Sequence, residues 1–243
     1  MLMADMEIGC SGFDYPHWRG GFYPEGVPRS KWLEYYRTIF SSVELNVTFY
    51  RLPKPETFDK WYGETPSGFV FSLKGSRFIT HLKRLRDPAE PLDRFFDAAL
   101  HLGEKLKVVL WQFPPQFAAN LERLSTFLEL LARYPVRNTL EFRNASWLAA
   151  DVVDLCREHN VGLCMADWPE FIDEPPVTAD FVYIRRHGHG GDYAGCYSRD
   201  ELGRDARRIR GYLGEGRDVF IYFNNDAYGF APQNARELMG MLK

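Results

Sequence analysis

Short runs rich in β-branched and aromatic residues alternate along this chain with longer stretches that repeat apolar residues every three or four positions, and that alternation constrains the fold more than any other feature. The strand-like runs cover residues 7–10, 42–46, 69–73, 107–111, 136–142, 162–165, 181–185 and 219–223. Helical patterns occupy 30–40, 55–61, 120–132, 147–159, 200–213 and 233–242, and residues 74–102 read as a helix in two pieces broken near Pro88 and Pro91. Ser30, Asn120 and Ser146 stand where an N-cap is expected. The stretch 167–178 holds three prolines and almost no helical period, so the helix after the sixth strand is expected to be short or missing.

Strands separated by helical crossovers pair in parallel, and right-handed crossovers place the helices outside the sheet. Two architectures fit: a closed barrel and an open, doubly wound sheet. The first strand–helix turn reads CSGFDYPHW, without the glycine spacing of a dinucleotide fold. Polar residues also recur at the ends of many strands, not at one crevice. Both points favour a single (β/α)8 barrel of the TIM type over residues 1–243, with a long aromatic loop after strand one. No Gly-, Ser- or Pro-rich linker divides the chain.

Bulk properties narrow the function classes. A formal net charge of -3 offers no global attraction to nucleic acid or a membrane surface, and no apolar run is long enough to span a bilayer. Cys10, Cys156, Cys164 and Cys196 show no C-x-x-C spacing and read as reduced thiols. With no basic, apolar leader at the amino terminus, the expectation is a cytoplasmic protein. The sequence leaves its oligomeric state open.

The functional signal comes from the side-chain period of two along a strand. Applied to each carboxyl end, it aligns Glu44 with Asn46, Ser72 with Lys74, Leu110 with Gln112, Glu141 with Arg143, Met165 with Asp167, Arg185 with His187, and Tyr222 with Asn224. In a barrel such residues converge on the mouth, where active sites of this fold lie. Glu44, Glu141, Lys74, Asp167 and His187 are the candidates for catalysis. Asn46, Gln112, Arg143, Arg185, Tyr222 and Asn224, with Tyr15 and Trp18 of the aromatic loop, are the candidates for ligand binding. Glu44 and Glu141 suit an acid–base pair, Lys74 a base or fixed cation, and the arginines a carboxylate or phosphate. A plain ion-pair network that plugs the mouth is the competing reading.

Other features weigh less. The loop HGHGGDYAG, residues 187–195, serves as an anion cradle or a lid and lacks the Walker spacing. No H-E-x-x-H occurs, and the cations around the acidic strand ends argue against a metal; no cofactor is expected. The basic run HLKRLRD, residues 81–87, reads as a solvated helix face. The best functional reading is a metal-independent acid/base enzyme acting on a small polar, anionic or sugar-like ligand. Alternatives are a non-catalytic metabolite-binding protein, a nucleic-acid-processing protein, and a metal-dependent hydrolase or isomerase.

Six segments in order carry a family resemblance: IGCSGF from Ile8, HWRGGFYP from His17, SVELNVTFYRLP from Ser42, LWQFPP from Leu110, EFRNASW from Glu141 and YIRRHG from Tyr183, with FNND from Phe223 closing the series. Over nearly its full length the chain resembles the domain-of-unknown-function family 72, also called the YecE-like family. The resemblance implies a TIM-type barrel with a polar cleft and points to Glu44, Asn46, Glu141, Arg143, Arg185, His187 and Asn224. It implies no reaction, cofactor or substrate. Phe13 departs from the pattern, which often has Trp there.

Overall fold

In the computed structural model, which describes residues 4–168 and 173–243, nine parallel strands alternate with helices. The strands are β1 (Met6–Ser11), β2 (Ser42–Leu45), β3 (Val70–Lys74), β4 (Leu106–Gln112), β5 (Arg137–Glu141), β6 (Gly162–Leu163), β7 (Met165–Ala166), β8 (Phe181–Arg186) and β9 (Asp218–Phe223). The α-helices are α1 (Trp32–Tyr36), α2 (Val47–Tyr50), α3 (Pro55–Glu64), α4 (Ala89–Ala99), α5 (Leu121–Leu131), α6 (Ala150–Glu158), α7 (Arg199–Gly214) and α8 (Phe230–Leu242). All eight expected strands are present, but the sixth is interrupted: Cys164 alone separates β6 from β7. Nine strands, not eight, are therefore observed.

The chain divides into two compact units. The first comprises Met1–Glu44, Met165–Asp173 and Asp180–Lys243. Within it β2, β1, β9, β8 and β7 pair in that order, with Ser11 level with Glu44, Gly9 with Tyr222, and Arg185 with both Tyr222 and Ala166. Gly9 is required by close approach: a Cβ there would lie 2.2 Å from the Ser42 carbonyl oxygen. α7 starts from a complete capping box, in which the Ser198 hydroxyl and the Glu201 carboxylate exchange backbone hydrogen bonds. The loop after β1 is packed as an aromatic cluster. Trp18 lies 4.9 Å from the Tyr15 ring and 5.4 Å from Phe22, and Tyr23 stacks on Trp32 at 4.7 Å.

The second unit comprises Leu45–Cys164 and Glu174–Ala179. Its strands run β6, β5, β4, β3, with Gln112 level with Glu141 and Leu110 level with Lys74. Leu124, Phe127, Leu128 and Leu131 form the buried stripe of α5, and the Asn120 side chain accepts the Arg123 amide at 2.9 Å, as its cap position predicts.

Several local expectations are corrected. Ser30 is no N-cap: it lies within a 3-10 turn, Arg29–Lys31, which Pro28 precedes. Ser146 is likewise inside a 3-10 turn, Ala145–Leu148, whose cap is Asn144, and α6 begins only at Ala150. The run after β3 is not a regular helix. Phe78–Leu82 forms a π turn, and Arg84, Leu85 and Asp87 then adopt left-handed φ values of 49°, 61° and 42°. That path buries Ile79 and Leu85 while leaving Arg84 and Arg86 exposed, so apolar burial overrides the helical register. The segment expected to lack a sixth helix lies partly outside the described residues, at 169–172; residues 173–180 carry no helix. No helix among the described residues is long and apolar enough to cross a membrane.

Candidate functional site

Some of the strand-end residues gather into a polar network in each unit, around Glu44 in the first and Glu141 in the second. In the first, Glu44 is completely buried and fully engaged. Arg185 grips both carboxylate oxygens, Nη2 to Oε1 at 2.8 Å and Nε to Oε2 at 3.0 Å. The Ser11 hydroxyl donates to Oε1 at 2.5 Å and the Tyr183 hydroxyl to Oε2 at 2.7 Å. Tyr183 and Arg185 are i and i+2 on β8, so one face of one strand supplies two of the three partners. Burial alone pushes a carboxyl upward. Here the Arg185 charge and hydrogen bonds, with those of Ser11 and Tyr183, outweigh it and hold Glu44 below the ordinary carboxylate range. Burial, with the adjacent Glu44 charge, drives the Tyr183 phenol far above its usual value.

The network continues along β8. Arg185 Nη1 donates to His187 Nε2 at 2.9 Å. A guanidinium has no acceptor, so this nitrogen of His187 carries no proton and the other, Nδ1, faces Asp167 Oδ1 at 3.4 Å. Asp167 also accepts the His187 backbone N–H at 2.6 Å and the Tyr197 hydroxyl. Tyr197 in turn accepts the Gly188 amide at 2.6 Å, which pins the start of the glycine-rich loop. Glu44, Arg185, His187 and Asp167 are thus brought together.

Tyr222 and Trp18 are both buried. Tyr222 is fully buried with its hydroxyl 2.5 Å from Ser42 Oγ, at the start of β2, and Trp18 is buried in the aromatic cluster. Tyr15 is half-buried and donates to the Ser11 carbonyl at 2.6 Å. Asn224 is buried, with its backbone N–H donating to the Arg186 carbonyl at 2.7 Å. Sequence reasoning missed Arg186, on the opposite face of β8 from Arg185. Its guanidinium is buried against Asp205 of α7, 2.8 Å from Nε to Oδ2, and bolts that helix to the strand.

The second unit holds Glu141, also completely buried. Its Oε1 accepts from Gln112 Nε2 at 2.9 Å and from Arg143. The Lys74 ammonium sits 4.3 Å from the centre of the Phe49 ring, a cation–π contact, and Thr48 donates to the Lys74 carbonyl at 2.6 Å. Asn46 is half-buried at the start of α2. His81 was not singled out from the sequence, yet its ring packs edge-on against Phe49 at 5.0 Å and Thr80 Oγ1 lies 2.9 Å from its Nδ1. Burial first, then the positive charges of Lys74 and Arg77, pull its pKa down to about 4, while Glu141 opposes them. The signal was available in hindsight: an imidazole seven residues past Lys74, in a run otherwise basic.

A pH prediction follows from His81. Its folded pKa lies below the unfolded value, so between about pH 6.5 and 4 the unfolded chain binds the extra proton and stability falls as pH falls. In H81Q that contribution to the acid-side slope is absent. Urea midpoints of both proteins at several pH values in this window check it; parallel slopes contradict it.

Among the described residues, no group of three His, Cys, Asp or Glu side chains is arranged to hold a metal ion. A family model described as "Protein of unknown function DUF72" matches residues 7–243. The UPF0759 protein YunF of Bacillus subtilis (strain 168) is 28% identical over 258 residues, covering 90% of this chain and 89% of its own. Among solved structures, a DUF72 family protein from Thermotoga maritima MSB8 superposes with a TM-score of 0.88 at 31% identity, over 98% of this chain and 99% of that one. A D-psicose 3-epimerase from Clostridium cellulolyticum H10 superposes with a TM-score of 0.59 at 10% identity, over 98% of each chain, a likeness of fold alone.

Proposed function

Since this chain belongs to the DUF72 family, whose model spans nearly all of it and names no reaction, its chemistry has to be argued from its own strand ends, and we propose that it is an acid/base enzyme acting on a small polar, anionic or sugar-like ligand. The reading takes residues 1–243 as one (β/α)8 barrel of the TIM type, the broken sixth strand counting as a single position. The observation that carries it is Glu141: a buried carboxylate at a strand end, held by the Gln112 amide and the Arg143 guanidinium, in the unit that also supplies Lys74 and a neutral His81. A carboxylate so held can take or give a proton when a ligand displaces one of its partners. The resemblance in fold to D-psicose 3-epimerases adds that such a scaffold can carry sugar chemistry.

The two networks receive different roles. Glu44, saturated by Arg185, Ser11 and Tyr183, is a fixed counter-charge that orients Arg185 and through it His187. Glu141 and His81 are the proton-transfer groups, with Arg143, Lys74 and Gln112 as ligand contacts. Arg185 fixes the tautomer of His187, whose Nδ1 then faces Asp167. The guanidinium and amide donors aimed at Glu141 are the reason for preferring metal-independent chemistry.

A thermal-shift screen of polar metabolites (free sugars, sugar acids and their phosphates) tests this reading. Ligand at about a hundred times its Kd stabilises the folded form by about 2.7 kcal/mol. The expected result is a hit whose shift is lost in R143A. A hit that stabilises R143A equally would place the ligand elsewhere and defeat the assignment.

A further inference from the structure

Two short segments of the second unit stand out for what they expose. Tyr50, at the end of α2, is 69% exposed, and Phe78, at the start of the π turn, is 37% exposed. They belong to one surface, because α2 and the π turn meet where Phe49 packs on His81 at 5.0 Å. Residues 47–54 and 76–87 contain six cations, Arg51, Lys54, Arg77, Lys83, Arg84 and Arg86, against one carboxylate, Asp87, in a chain whose formal net charge is -3. Among the described residues, none of the six is in a recorded ion pair. Lys83 lies 5.9 Å from the Phe78 ring, so charge and aromatic face are interleaved. The left-handed turn at Arg84 and Leu85 buries the leucine and leaves Arg84 and Arg86 in solvent.

We infer that this surface binds single-stranded nucleic acid. Phosphates match the unpaired guanidinium and ammonium groups, and bases match exposed ring faces; the combination is the one that holds single strands without sequence preference. A duplex would leave the rings unused, because its bases are stacked on one another. An anionic membrane would satisfy the charges, but the apolar side chains here come from segments too short to form an interfacial helix. The inference is independent of the proposed catalytic reading; His81 enters it only through the ring contact that joins the two segments.

Fluorescence anisotropy of the intact protein with a labelled oligothymidine of about 12 nucleotides tests it. Saturable binding is expected at low salt, with log K falling linearly against log salt by about 0.7 per phosphate contact. Y50A is expected to weaken binding roughly tenfold with the salt slope unchanged, the signature of lost stacking. R77Q/R86Q is expected to reduce the slope by about 1.4, the signature of two lost phosphate contacts. All three positions are exposed, so the variants fold. No binding at low salt, equal affinity for duplex, full affinity in both variants, or capture by phosphatidylserine vesicles in place of the oligonucleotide would each overturn the inference.

Discussion

Arg185→Ala lowers the stability of the folded chain by about 3–5 kcal/mol, the cost of stranding a buried carboxylate without its cation. Glu44 and Arg185 are both completely buried, and the guanidinium supplies two of the contacts that hold the carboxylate ionised. Once it is gone, only the Ser11 and Tyr183 hydroxyls remain against the burial cost. The linkage then changes sign. In the wild type, Glu44 has a depressed pKa, so its contribution is present above the unfolded carboxylate pKa and is lost as pH falls through the folded one. In R185A burial dominates, the pKa rises, and stability improves as the medium is acidified toward protonation of Glu44. Urea unfolding of R185A and wild type at pH 7 and pH 5 reads both effects. A loss below about 1 kcal/mol, or one that grows on acidification, would show that the pair is not the anchor described.

E141Q is expected to reduce turnover of a ligand found by screening by about 10²–10⁴-fold, the usual worth of one positioned proton-transfer group. The amide keeps the shape of the carboxylate and its oxygen can still accept from Gln112 and Arg143, so ligand binding should survive at some cost in stability, because the buried Arg143 charge loses its counter-charge. The loss therefore belongs in kcat, with KM little changed. E44Q should behave otherwise, losing stability before chemistry. Unchanged kcat in E141Q would remove it from the reaction.

The strand order and most strand-end residues were legible because period-two alternation and apolar runs are local properties. What alternation cannot give is depth. Tyr222 stands near the end of its strand, as the pattern says, yet it is fully buried with its hydroxyl against Ser42. Nor does alternation separate a strand end from a bolt: Arg185 and Arg186 are adjacent, and only the structure shows one gripping Glu44 and the other Asp205. The break at Cys164 and the left-handed turn after Leu82 are tertiary effects, set by what must be buried. His81 was hidden in a basic run because its environment comes in part from Phe49, distant in sequence. The Glu44 pair needed a partner 141 positions away, a distance no local rule spans.

In the proposed function, a ligand meets Glu141 among the polar strand ends of its unit. A crystal structure of the protein soaked with the best-stabilising metabolite tests it most directly. The account predicts density within hydrogen-bond reach of Arg143 and the Glu141 carboxylate, with at least one of their present contacts exchanged for the ligand. Density bound elsewhere, with Gln112 and Arg143 still closed on Glu141, would contradict it.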